Sequence, residues 1–280
     1  MPAANAKALE KAKTLPADVL LFDLEDSVAP ETKAEARAQL SAVLDGGGYG
    51  KREIVVRVNA LSTPWGAADM GALAGKAIDG VLVPKIETAD DVRAADAALR
   101  AAGAGEGVAL WVMIETPKAV LNIASIAEAA ATTRLGAFVM GLNDLAKETR
   151  ARATPDRAPF HAAMALAVTA ARAHGLTAID GVYNDIQNLG GFEDECRQGF
   201  AFGFDGKTLI HPSQLGPCNV IYAPSAEEVS QARAVITAFA DPANAGKGVI
   251  KVDGRMTELL HLEEAKRVVA VMDAIAEREA

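Results

Sequence analysis

Residues 20–30, LLFDLEDSVAP, place Asp23, Glu25 and Asp26 directly behind an apolar run and ahead of a proline. Carboxylates gathered in this way repel one another unless a cation or a substrate uses them. The plainer reading is a polar strand end leading into a helix cap. Two more acids invite the same question: Glu115 ends LWVMIE, and Asp144 ends FVMGLND. On neighbouring strands this pair would suit a hard cation such as Mg2+, which takes one or two carboxylates and completes its shell with water and substrate oxygen. A Glu ahead of Thr116 and Pro117 also suits a helix start. Arg57 lies inside VVRVN, where a lone charge is costly unless it is paired or meets a ligand carboxylate. Glu25 or Asp26 could pair with it, and an arginine oriented by those acids can still face a substrate. Lys85, behind Val83 and Pro84, has the type required of a Schiff-base lysine, but the nearby acids favour a charged, ion-paired one. His211 in LIHPSQ reads as a strand-end hydrogen-bonding residue rather than a base.

These residues need elements to hold them. Seven apolar segments rich in Val, Ile, Leu and Phe predict strands at 19–24, 54–59, 80–85, 109–115, 137–141, 177–180 and 206–211. Alanine-rich stretches predict helices at 31–44, 67–77, 89–102, 117–130, 159–174 and 185–198, with Thr116 and Pro117 as N-cap and first-turn residue of the fourth. Strands that alternate with helices and lack a polar face indicate parallel βα units buried on both sides. Nearly every strand is apolar until its end, where Asp23, Glu25, Asp26, Arg57, Asn59, Lys85, Glu87, Glu115, Asn143, Asp144, Asp180 and His211 fall. A (β/α)8 TIM barrel gathers all such ends at one mouth, whereas an open sheet spreads them along its length. The barrel is therefore the expected fold, over residues 1–215, with its first strand cut short because one strand is unaccounted for. Residues 216–280 should form a C-terminal helical extension: helices at 225–239 and 258–277, and a Gly-rich turn, AGKGVIKVDGRM, between them. That tail is too small for a core of its own and should pack on the barrel or on a neighbouring subunit.

Composition removes other classes. The net charge of -9 opposes a general affinity for nucleic acid or anionic membranes. The longest apolar runs, such as Val108 to Ile114, fall well short of the roughly 18 residues of a membrane span. Cys196 and Cys218 form no disulfide or zinc framework. The opening PAANAKALEKAK is helix-like and lacks the apolar centre of a secretory signal. A soluble protein of the reducing cytoplasm is expected. HExxH, a P-loop and GxGxxG after a strand are all absent, and GGGYG at 46–50 reads as a helix-to-strand turn.

The segments DLEDSVAPETKAEAR, VVRVNALSTPWG, GVLVPKIETADDV, VMIETP, GLNDLAKE, GFDGKTLIHPSQ and APSAEEV together resemble the citrate lyase β subunit-like, or malyl-CoA lyase-like, branch of the HpcH/HpaI aldolase superfamily. They run in family order from residue 23 to about residue 230, with weaker similarity through GRMTELLHLEEAKR. The resemblance implies a (β/α)8 barrel that binds Mg2+ through Glu115 and Asp144, with Arg57 and Lys85 at the substrate. Glu25 and Asp26 would shape the mouth and orient Arg57, while Lys33 and Arg37 belong to the helix side of the motif. The implied reaction is reversible carbon-carbon cleavage of a 3-hydroxyacyl-CoA, such as malyl-CoA or citramalyl-CoA, to an acyl-CoA and a 2-oxo acid. Arg57 would face the thioester enolate, and a carboxylate would exchange the proton on carbon. Alternatives are a malyl-CoA-type thioesterase, a citrate lyase β subunit working with an acyl carrier protein, and a silent paralogue that only binds. Relatives usually begin with a further strand carrying a CoA-associated Arg, where this chain starts MPAANAKALEKA. Many also have Asp in the tail where this chain has Glu258, the candidate proton carrier. In such relatives the tail covers a neighbouring subunit's mouth, which implies a homotrimer or a multiple of it.

Overall fold

The computed structural model describes residues 1–279. The chain divides into two compact units, Met1–Cys218 and Asn219–Ala280. The first opens with α1 (Ala6–Ala12) and then alternates: β1 (Val19–Asp23), α2 (Lys33–Gly46), β2 (Glu53–Arg57), α3 (Gly66–Ala72), β3 (Gly80–Val83), α4 (Ala89–Ala101), β4 (Ala109–Ile114), α5 (Pro117–Leu121), α6 (Ile123–Glu128), β5 (Leu135–Met140), α7 (Leu142–Thr149), α8 (His161–Ala173), β6 (Thr177–Asp180), α9 (Leu189–Phe202) and β7 (Gly206–Lys207). The seven strands are all parallel and pair in chain order from β1 to β7. This is the strand order of a (β/α)8-type barrel. At the outer edge of β1, where an eighth strand would lie, Met1 to Ala3 make a single parallel bridge, Pro2 to Asp23.

Strand side chains alternate between two faces. One set, Leu21, Val55, Leu82, Trp111, Met113, Val139 and Ile179, packs into an interior cluster. In that set Leu21, Trp111 and Ile179 are partly buried, while the alternate set, including Phe22, Val56, Val81, Val112, Phe138 and Ala178, is wholly buried, as expected of a parallel sheet with helices against it. Burial on both faces is why these strands read as continuous apolar runs.

Local chemistry sets the helix boundaries. Thr116 caps α5 by accepting from the Ala119 N–H, with Pro117 in the first turn, as predicted. The single helix expected at 117–130 is instead two, broken at Asn122. The helix expected at 185–198 runs from Leu189 to Phe202, because the Asn188 side chain caps it and Gly203, at φ 93°, ends it.

In the second unit, which α10 (Leu215–Tyr222) leads into, α11 (Ala226–Ala240) is followed by β8 (Val249–Val252), β9 (Arg255–Glu258) and α12 (Leu259–Glu279). The expected Gly-rich turn is thus an antiparallel hairpin. Its two-residue connection is Asp253 and Gly254, both at positive φ, the arrangement that Asp-Gly favours in tight hairpins. Contrary to the expectation that the tail is too short for a core of its own, Ala232, Val235, Ile250, Val252 and Ala265 form a small one there, because the hairpin packs with α11 and α12. Among the described residues no helix is long and apolar enough to cross a membrane.

Candidate active site

Two residues beyond the last apolar layer of the interior face, the same alternation delivers Asp23 after Leu21, Arg57 after Val55, Glu115 after Met113 and Gly141 after Val139. Asp23 and Arg57 are register partners of β1 and β2. Their side chains meet as a bidentate pair, Nε to Oδ1 and Nη2 to Oδ2, each at 2.7 Å. Asp23 also accepts from the Glu25 and Ser27 N–H groups. Burial would raise its pKa, but Arg57 more than reverses this and holds it at about 2. Burial opposes the charge on Arg57, and Asp23, with help from Glu25 and Asp26, raises its pKa nonetheless. The other edge of the guanidinium, Nη1, lies 2.8 Å from Glu25 Oε2, 3.4 Å from Asp26 Oδ2 and 3.7 Å from Met113 Sδ.

Glu25 and Asp26, paired with Arg57 in the sequence reading, are thus secondary partners, and Asp23 is the principal one. Glu25 Oε2 is buried and has no aligned donor despite its closeness to Arg57. Burial outweighs the attraction of Arg57, Asp26 adds repulsion, and the Glu25 pKa is pushed up to about 8. Asp26 is two-thirds exposed. Lys33 fixes the loop that carries these acids, donating to the Leu24 and Glu25 carbonyls at 3.0 and 2.9 Å with its ammonium over the Trp65 ring.

The second cluster joins β3, β4 and α7. Glu115 follows β4 and is 1% exposed, and Asp144 lies in the first turn of α7. Lys85 links them: its Nζ is 2.7 Å from Asp144 Oδ1 and 3.3 Å from Glu115 Oε1. Its backbone N–H also donates to Glu115 Oε1, at 2.7 Å. Lys85 sits at φ 56°, a region that residues with a side chain rarely occupy. Burial raises the Glu115 pKa in spite of Lys85. Burial works against the ammonium of Lys85, but Asp144 and Glu115 prevail and raise its pKa.

Gly141 makes the arrangement possible: a Cβ there would collide with Glu115 Cβ and stand 2.8 Å from Glu115 Oε2 and 3.1 Å from Met113 Cε. The donor set fits a hard divalent cation, because two carboxylates already converge on one positive charge and Mg2+ commonly takes only one or two protein carboxylates.

Other strand-end polar residues serve the scaffold. Asn59 donates to Asp69 and to the Leu24 carbonyl, and Arg37 holds Asp69. Asp180 is fully buried between Arg157 and Lys207, which Glu195 also neutralises. The strand expected at 206–211 ends at Lys207, so His211 is a hydrogen-bonding residue but not a strand end: its ring nitrogen accepts from the Ser213 N–H and caps the turn that follows. Asn143 and Asn184 exchange amide hydrogen bonds at the mouth. Glu87 pairs with Lys118. Cys196 and Cys218 are free and buried. Glu258, expected to start the last helix, instead ends β9 in the second unit; it is exposed, and its N–H donates to His261 Nδ1. Asp23 as the clamp on Arg57, Gly141 and Met113 were not anticipated. Period-two counting back from Glu115 reaches Met113, whereas Asp23 and Gly141 follow only from the pairing of neighbouring strands.

With this geometry in hand, comparison with known proteins is specific. The model of the family "HpcH/HpaI aldolase/citrate lyase" matches residues 1–212. The chain belongs to that family. It is 45% identical over 276 residues to a (3S)-malyl-CoA thioesterase of Cereibacter sphaeroides, covering 99% of this chain and 94% of the relative. It is 35% identical to the citrate lyase subunit beta of Escherichia coli, covering 96% and 90%. Protein CitE of Mycobacterium tuberculosis, crystallised in complex with magnesium, acetoacetate and coenzyme A, superposes with a TM-score of 0.75 at 31% identity, covering 96% of both chains. The expected family and barrel-type fold are therefore established.

Proposed function

We propose that this protein is a Mg2+-dependent enzyme of 3-hydroxyacyl-CoA thioesters that hydrolyses malyl-CoA, or a close homologue, to free CoA and the hydroxy acid. The observation that carries this reading is the convergence of Glu115 and Asp144 on one cation beside the Asp23-clamped Arg57. It occurs in a chain similar over nearly its whole length to a malyl-CoA thioesterase. The similarity to a structure crystallised with magnesium and coenzyme A supports the choice of cation and thioester.

Glu115 and Asp144 would hold Mg2+, which when bound supplies Lewis-acid polarisation of the substrate's oxygens. The chain's own residues do the rest. Asp23 fixes the Nε/Nη2 edge of Arg57, so the Nη1 edge is preorganised to donate to a thioester oxygen as negative charge develops there. Glu25, with a buried acceptor lacking an aligned donor and a pKa of about 8, is suited to take a proton from the attacking water. The water oxygen bonds to the thioester carbon, the C–S bond breaks, and Glu25 returns its proton to the departing sulfur, which leaves as a thiol. Asp26, being exposed, adds negative field at the rim. Lys85 would contact a substrate carboxylate once free of the acid pair. Glu258 is a further candidate proton carrier, acting at the mouth of a neighbouring copy in a homotrimer or a multiple of it.

Carbon-carbon cleavage is the second reading, favoured by the similarity to a citrate lyase subunit, because a thioester enolate would draw on the same Arg57 donors. Incubation with malyl-CoA, with and without Mg2+, separates the two. Free CoA with malate supports hydrolysis. Acetyl-CoA with glyoxylate in its place overturns the thioesterase reading in favour of the lyase, and turnover only with a carrier protein points to a complex subunit.

A further inference from the structure

Lys85 is placed in a way that a substrate-binding lysine does not require. Its ammonium bridges Asp144 Oδ1 and Glu115 Oε1, the oxygens that converge for a metal, while its own N–H orients that same Glu115 oxygen. The left-handed backbone at φ 56° lets one residue present both donors to one carboxylate, a strain that persists only when the surroundings hold it. Two carboxylates this close repel one another without a cation, and Glu115 is almost completely buried. The Lys85 side chain is 34% exposed, so it has a way out to solvent.

We infer that the Lys85 ammonium is a tethered stand-in for the divalent cation: it neutralises the Glu115–Asp144 pair in the metal-free enzyme and is displaced when the metal binds. This rests on the reading of Glu115 and Asp144 as metal ligands. A dication on the same oxygens puts a second positive charge beside the ammonium, and the like charges repel. Displacement frees Nζ at the mouth, where it meets the substrate's carboxylate. Metal binding and assembly of the substrate site are then one event, and the apparent affinity for Mg2+ is set by competition with Lys85.

The test is calorimetric titration of Mg2+, without substrate, into the wild type, Lys85→Met and Lys85→Arg at pH 8. Circular dichroism checks the fold of each. Lys85→Met removes the competitor and should bind Mg2+ roughly fivefold more tightly, the factor that corresponds to an ion pair worth about 1 kcal/mol. Lys85→Arg keeps the cation and should stay near the wild type. In the wild type, reaction of Lys85 with an amine-directed reagent, read by peptide mass spectrometry, should quicken when Mg2+ is added. Equal or weaker Mg2+ binding by a folded Lys85→Met overturns the stand-in role and leaves the metal site intact. Absence of Mg2+ binding by the wild type and by both variants overturns the metal reading and this inference together. If Lys85→Met does not fold, the labelling decides: an unchanged rate on adding Mg2+ contradicts displacement.

Discussion

Replacing Asp23 by Asn changes one atom and should nevertheless cost about 3 kcal/mol at pH 7, a figure the structure supports from two directions. The carboxyl titrates at about 2 instead of 3.8, a difference worth about 2.5 kcal/mol. Removing one partner of a buried pair independently costs about 3 to 5 kcal/mol, and Asp23 is 5% exposed. The hydrogen bonds show why. Oδ1 accepts from Arg57 Nε and the Glu25 N–H, and Oδ2 accepts from Arg57 Nη2 and the Ser27 N–H. Asn must turn an amide NH2 toward one of these pairs of donors. The sign with pH is fixed by the lowered pKa: the Asp23 contribution is complete above about pH 4 and is lost as the pH falls toward 2. Urea unfolding of wild type and Asp23→Asn at intervals from pH 7 to pH 2 measures both quantities. A variant within about 0.5 kcal/mol of wild type at pH 7, or a difference that does not shrink between pH 4 and 2, refutes the clamp.

Gly141→Ala should fold with a loss of about 1 to 3 kcal/mol and lose at least tenfold in turnover, because the new methyl displaces Glu115; wild-type kinetics would show that Glu115 need not stand there. Glu25→Gln should flatten a pH dependence. The folded wild type keeps the Glu25 proton that the unfolded chain releases near 4.5, so its stability should fall relative to the variant, by roughly 2 to 5 kcal/mol, as the pH rises to about 8. Parallel unfolding curves over that range would remove the buried acid from the account. Glu258→Gln and Glu115→Gln should each be inactive alone and recover part of the activity when co-expressed, since mixed oligomers would contain some intact sites. Full activity of Glu258→Gln alone would place the proton carrier elsewhere.

The strands were legible because burial on both faces leaves an unbroken apolar signal, and their polar ends marked the mouth of the barrel. The Thr116–Pro117 helix start was legible because capping is local chemistry. What escaped depended on facing partners or short turn signals. Asp23 looked like one of three loose acids, and only the β1–β2 register shows that it opposes Arg57. Gly141 read only as the last residue of the strand expected at 137–141, since the close approach of Glu115 comes from another strand. Asp180 looked like a mouth residue, yet Arg157 and Lys207 arrive from distant segments to enclose it. The hairpin at 249–258 was hidden by its glycines, though Asp253-Gly254 between the two four-residue strands VIKV and RMTE was its turn signature. The family resemblance, spread over several segments in order, pointed to the family that the comparison shows, which no single motif could specify.

Calorimetric titration of Mg2+ into the wild type, Glu115→Gln and Asp144→Asn asks whether the acid pair is a metal site. Each variant removes one anionic oxygen donor from a two-carboxylate set while leaving its size unchanged. The expected result is saturable binding by the wild type and a loss of at least tenfold in affinity in each variant, with both still folded by circular dichroism. Unchanged affinity in both variants would contradict the assignment of Glu115 and Asp144.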